Sequence, residues 1–197
     1  SPPDAIDNPD AVFDFYDGFD AGTDPDPLKW TFASGNPETH TAISEGLLTM
    51  TATGIASGSY VRLDGKTAVG TGFVGETRAR HPDQGTVNMI MEVGFAGSGF
   101  TNAIRIVNDF PSVINWQRQT IAAGLTDGVL DMAINSDQDW HLFKVYRNID
   151  GTAGFQIDET TVENVTTNVP LVNMPQFMMS YGNTNHLIVD WTRIRKW

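Results

Sequence analysis

Phe73-Val74-Gly75-Glu76-Thr77-Arg78-Ala79-Arg80 is the stretch whose reading decides the fold. Phe73, Gly75, Thr77 and Ala79 fall on one side of an extended chain, and Val74, Glu76, Arg78 and Arg80 on the other, which is the period-two signature of a strand. Val87, Met89, Met91, Val93 and Phe95 repeat the pattern opposite Asn88, Ile90, Glu92 and Gly94. Moving outward, further strands are predicted at Leu47–Ala52, Ala103–Val107, Val113–Gln119, His141–Tyr146, Gly154–Ile157, Gln176–Tyr181 and Leu187–Ile194. Clusters of Gly, Asp, Asn and Pro separate them at sandwich-like spacing. One helical turn is predicted around Thr120–Leu125. With no internal repeat and no strand–helix alternation, the expected class is all-β, a two-sheet antiparallel β-sandwich.

The composition supports a single domain. The chain has 197 residues, 40% of them hydrophobic, with 19 Gly and 10 Pro, enough for one core and many short turns. Residues 1–11 open on Ser1-Pro2-Pro3-Asp4 and read as a linker stub, leaving 12–197 as the domain. A stub of this kind points to a module within a larger protein. The formal net charge of −12 repels phosphate backbones and anionic headgroups, so nucleic acid and membrane surfaces are excluded as expected partners. No apolar run reaches the roughly 20 residues of a membrane-spanning helix. There is no cysteine, and a core of this size folds without disulfides, so an extracellular or cell-surface setting is compatible with the composition.

Three ordered segments carry a family resemblance: Phe15-Tyr16-Asp17-Gly18-Phe19-Asp20 with Leu28-Lys29-Trp30, then Glu45-Gly46-Leu47-Leu48-Thr49-Met50, then Ile188-Val189-Asp190-Trp191-Thr192-Arg193. They resemble the lichenase and laminarinase jelly roll and the related LamG-like glycan-binding domains, all of concanavalin A-like fold. Trp140 to Arg147, Asp150-Gly151 and Phe155-Gln156-Ile157-Asp158 resemble the LamG-type hairpin, with Glu159 in place of its usual Gly. The resemblance implies a structural calcium at the sheet edge, held by the carbonyls of Gly18 and Gly46 and the carboxylate of Asp190. Calcium takes several oxygen ligands, and backbone carbonyls serve well. Capping of a turn, or pairing with a basic neighbour, is the other reading of Asp190.

Retaining glycosidases need two carboxyls about 5–5.5 Å apart, which the lichenase family supplies from one E-x-D-x-E strand. The resemblance places that strand at Asn88–Phe95, where Glu92 stands alone. Glu76, on a neighbouring-strand candidate, is one possible partner; His81 with Arg80 is another, for a lyase. The alternative is that each glutamate pairs with an arginine on its own face. For ligand binding, Arg78, Arg80, Arg105, Arg118 and Trp116 are expected beside Glu92 on the concave sheet, because guanidiniums bond carboxylates and hydroxyls bidentately and indoles stack on sugar rings. The function expected first is a carbohydrate-binding, lectin-like monomeric module of an extracellular protein, with a neutral or acidic polysaccharide as partner. A glycoside hydrolase or polysaccharide lyase of the same fold is the alternative, and a structural spacer the third.

Overall fold

A computed structural model describes residues 13–34, 40–52, 60–82, 89–110, 115–128, 130–160, 163–182 and 185–197. The expected stub at 1–11 lies outside them. Among the described residues sixteen strands form two antiparallel sheets of eight. In sheet A the order is β14 (Glu163–Val165), β13 (Ala153–Ile157), β12 (His141–Arg147), β6 (Phe73–Arg80), β16 (Asn185–Lys196), β4 (Leu47–Ala52) and β3 (Thr41–Ser44), with β1 (Phe15–Asp17) also on β16. Sheet B runs β10 (Leu125–Thr126), β9 (Asn115–Ala122), β8 (Ala103–Phe110), β7 (Met89–Ala96), β15 (Met174–Tyr181), β5 (Tyr60–Val69) and β2 (Trp30–Ser34), with β11 (Leu130–Asn135) also on β9. This is the two-sheet antiparallel sandwich that the alternation predicted, and the jelly roll that the family resemblance implied.

The inward faces supply the core. Met91, Val93 and Phe95 of β7 and Ile104 and Ile106 of β8 meet Phe143, Val145, Phe155 and Leu187 of sheet A. Each such side chain contributes about 1.5–3 kcal/mol on burial. Gly75 leaves room for the facing sheet, since a Cβ there would stand 2.8 Å from Phe95 Cζ. A polar pin crosses beside it: Gln176 Nε2 of β15 donates to Thr77 Oγ1 of β6 at 3.0 Å. Arg147 is buried too, its guanidinium pulled down to about 10 by desolvation, and it donates to the Val69, Pro170 and Val172 carbonyls.

Two local expectations are corrected. The predicted helical turn at Thr120–Leu125 is a hairpin, in which β9 continues to Ala122 and turns through Ala123 (φ 50°) and Gly124 (φ 81°) into β10. Two consecutive positive φ values make a tight primed turn that matches strand twist. The ten-residue strand β5, absent from the predicted set, fills the place between β15 and β2. Its alternation from Tyr60 to Asp64 is interrupted by Gly65-Lys66, which hid it in the sequence.

Candidate functional site

Alternation on sheet B turns two rows of side chains away from the core. One row reads Arg62, Met179, Glu92, Val107 and Gln117 across the strands; the next reads Asp64, Phe177, Gly94, Arg105 and Gln119. At one end of the face Tyr60 and Tyr181 are cross-strand partners, both half-buried. In the middle a polar chain runs sideways. Arg105 Nη1 is ion-paired with Glu92 Oε2, Arg105 Nε donates to Gln119 Oε1 at 2.9 Å, and Gln119 Nε2 donates to Thr126 Oγ1 at 3.1 Å. Gly94 opposite Arg105 has no alternative: a Cβ would overlap the Ile104 carbonyl oxygen and stand 2.8 Å from Arg105 Cα.

The turn after β7 reaches over this face. Gly99 (φ 66°) and Phe100 (φ 55°) bend the chain so that the Phe100 ring lies under two guanidiniums, Arg62 at 4.1 Å and Arg105 at 5.0 Å, and edge-on to Phe177. Arg62 also bonds Asp64 at 2.6 Å and the Gly97 carbonyl at 3.1 Å. Burial pushes the Asp64 carboxyl above its ordinary range despite the opposing pull of Arg62.

The outer face of sheet A carries the other polar ladder. Glu76 sits between Lys144 of β12 and Arg193 of β16 in register, and its carboxylate accepts from Arg193 Nε and from Arg195 Nη2 (3.0 Å for the latter). Burial would raise its pKa, but the two guanidiniums outweigh that and hold the carboxyl below the usual glutamate range. Arg78 and Arg80 both lie against the Trp140 ring, at 4.9 and 5.1 Å, and Arg78 is also ion-paired with Asp190.

The residues expected to line one groove are thus divided among three places. Glu92 and Arg105 share the outer face of sheet B. Arg78, Arg80 and Glu76 belong to sheet A, because β6 and β7, consecutive in sequence, enter different sheets. Glu76 therefore does not face Glu92, and each is paired with arginine instead. Trp116 is 1% exposed and packs edge-on to Phe143 in the core, so it presents no face to a ligand. Arg118 is an inward position, paired with Asp127 at 3.2 Å and reaching Phe155. His81 is completely buried at the end of β6 and cannot reach a substrate as a base. Arg62, Asp64, Phe100, Gln117 and Gln119 were missed. The first two lay on the unrecognised β5, and Phe100 lies on a turn that carries no period.

The residues of the expected calcium edge converge in the topology. Gly18 follows β1, Gly46 precedes β4, and Asp190 is the bulged residue where β16 passes from pairing β4 to pairing β1. Asp20 enters from the side: its Oδ2 would stand 2.7 Å from a Cβ at Gly18, and its Oδ1 3.5 Å from one at Gly46. The Tyr16 hydroxyl is pushed up by burial and then by Asp20 and Asp190, placing both carboxylates in its neighbourhood. Asp190 is ion-paired with Arg78, the pairing with a basic neighbour that was its other reading. Among the described residues no cluster of three or more His, Asp or Glu is arranged for a metal. Asp17, by contrast, is a structural acceptor, buried and bonded by Trp30 Nε1 at 2.6 Å.

Comparison with known proteins defines the class by architecture. No family model matches the chain, and no curated protein matches it in sequence. Among solved structures, a glycosyl hydrolase family 16 protein from Mycobacterium smegmatis is similar with TM-score 0.73 and 17% identity, over 93% of this chain and 100% of that one. An endo-acting O-glycanase structure, from work on mucin breakdown by human gut bacteria, gives TM-score 0.75 and 14% identity over 93% and 99%. Bacillus licheniformis β-glucanase gives 0.72 and 13% over 93% and 98%. At these identities the likeness establishes the fold: a concanavalin A-like jelly roll of the kind found in β-glucanases, spanning the whole of its neighbours.

Proposed function

We propose that this chain is a carbohydrate-binding module that holds a polysaccharide along the outer face of sheet B. The observation that carries the reading is the half-covered chain Glu92–Arg105–Gln119–Thr126, with Phe100 stacked on Arg105 and the Tyr60–Tyr181 pair one row beyond Glu92. Fixed planar donors and acceptors flanked by aromatic rings are the chemistry that sugar hydroxyls and pyranose faces require. That solved structures of the same fold include β-glucanases and an O-glycanase adds support for a glycan as the partner. We place the module, as a monomer, in a larger extracellular protein. A structural calcium bound by the Gly18 and Gly46 carbonyls with Asp190 and Asp20 belongs to the same reading, its work being to pin three chain segments at one edge.

Cleavage by paired carboxylates is disfavoured on this face. Glu92 and Asp64 lie two strands and two residues apart, about 12 Å between backbone positions from standard strand spacings, and each is ion-paired. Retaining chemistry needs about 5–5.5 Å and inverting chemistry about 6.5–9.5 Å between carboxyls. A hydrolase is the second reading, favoured by the β-glucanases among the solved structures of this fold, with Asp64 as the carboxyl to test.

Affinity electrophoresis against a panel of neutral polysaccharides, run beside a reducing-sugar assay, tests both readings. The binding reading expects retardation by at least one glycan, about tenfold weakening by Tyr181→Ala or Gln117→Ala, and no product. Product release abolished by Asp64→Asn would establish the hydrolase instead. Absence of both retardation and product would overturn the two together.

A further inference from the structure

The outer face of sheet A concentrates positive charge on a protein of net charge −12. Four of its arginines, Arg78, Arg80, Arg193 and Arg195, project there with Lys144, against the carboxylates of Glu76 and Asp190. Arginines 193 and 195 share Glu76, and Arg78 takes Asp190. Among the described residues Arg80 has no carboxylate partner, and its Nε is buried without a hydrogen bond. The buried Nε is out of a ligand's reach, so what Arg80 offers a ligand is the Nη end of a guanidinium that no described carboxylate holds.

The half-buried Trp140 ring packs against both the Arg78 and the Arg80 guanidiniums, at 4.9 and 5.1 Å. Those contacts fix the two planar forks beside an indole that a sugar ring can stack upon. The guanidiniums of this face already engage carboxylates: Arg193 and Arg195 hold that of Glu76 and Arg78 that of Asp190, and a planar carboxylate matches the guanidinium fork. The geometry points to a second binding face, centred on Arg80 and Trp140, for a polysaccharide carrying ring carboxylates. Arg80 supplies the bidentate contact to a carboxylate, Trp140 the stacking surface, and the net positive field of the ladder the attraction at contact range. This face is on the opposite side of the sandwich from the Glu92–Arg105 chain, so it stands or falls independently of the reading given above.

Affinity electrophoresis in gels containing polygalacturonate, dextran or dextran sulfate tests it on the intact chain. Retardation by polygalacturonate and not by dextran is expected, weakened about tenfold by Arg80→Ala, by Trp140→Ala and equally by Arg80→Lys, which keeps the charge and loses the fork. Tyr181→Ala, on the other sheet, leaves this retardation unchanged and reports any loss confined to sheet B. Thermal melts of the Arg80 variants within a few degrees of the wild type show that the loss is not unfolding. The assignment is overturned if polygalacturonate does not retard the protein, if Arg80→Lys binds as the wild type does, or if dextran sulfate is bound as tightly as polygalacturonate.

Discussion

Glu76 is 1% exposed and bound by two guanidiniums, so its replacement by Gln tests whether it is structural or catalytic. Breaking a buried ion pair by removing one member costs about 3–5 kcal/mol where the remaining charge is left uncompensated. Here the arginine side chains keep 20% and 34% of their surface exposed, so water takes over part of the lost interaction. An expectation of about 2–3 kcal/mol follows. For a domain of this length each kcal/mol moves the melting midpoint by about 2–4 °C, which puts Glu76→Gln about 4–12 °C below the wild type at neutral pH. The pH dependence has a definite sign. The folded-state pKa is depressed, so the carboxylate's stabilisation is fully present above its unfolded value and disappears as pH falls through the lower folded value. Midpoints measured by calorimetry from pH 7 down to acid should therefore converge for wild type and variant at the acid end. Equal midpoints at pH 7, or a gap undiminished in acid, would refute the ion-pair account.

Trp116→Ala should cost about 3–5 kcal/mol as a core truncation, seen as a lower denaturation midpoint; a normal melt with lost glycan binding would contradict its core position. Gly94→Ala, driving a side chain into the β8 backbone, should cost at least about 3 kcal/mol and lower the yield of folded protein, whereas Gly72→Ala, whose added Cβ meets nothing within 4 Å, should not lower that yield as much. His141 donates between Asp158 (2.7 Å) and Asp137 (2.9 Å), and these bonds raise its pKa against the lowering effect of burial. The clasp is thus intact below the unfolded value of about 6.5 and lost as pH rises through the folded one; Asp158→Asn should lower the His141 midpoint in an NMR titration. For the proposed calcium, saturation at about a hundredfold over Kd adds about 2.7 kcal/mol, so chelation should lower the midpoint by about 5–10 °C, and an unchanged melt would remove the ion from the reading.

The sandwich was legible because alternation is a local property of the chain. Phe73–Arg80 reads the same in the sequence and in β6, down to its end residues. Which sheet a strand joins is not local. β6 and β7 are neighbours in the chain, yet one pairs with β12 and β16 and the other with β8 and β15. That single fact separated Glu76, Arg78 and Arg80 from Glu92 and Arg105, and no periodicity carries it. Phase was the second obstacle: Trp116 and Arg118 alternate correctly with Gln117 and Gln119, but which set faces inward is decided by the pairing of β9 with β8. The edge at Gly18, Gly46 and Asp190 came from the family resemblance, whose motifs follow strand order and not periodicity.

The placement of charge in the fold explains why bulk acidity is a poor guide to what the faces bind. All eight arginines lie on strands, in β5, β6, β8, β9, β12 and β16. Many aspartates lie in loops and turns, where Asp26, Asp137 and Asp150 each accept a backbone N–H two residues on. Each choice follows from side-chain length. A short carboxylate caps a turn, and a long guanidinium stem covers apolar sheet surface while its head stays at the boundary. The net charge of −12 is therefore weighted toward the turns, and the outer face of sheet A is left positive. At physiological ionic strength the Debye length is about 8 Å, so a polymer lying across that face feels the adjacent arginines fully and more distant aspartates weakly. Raising salt from very low to physiological levels should then strengthen polygalacturonate retardation before higher salt weakens it. A monotonic rise with salt would mean that repulsion from the turns governs throughout and that no short-range pairing exists on the face.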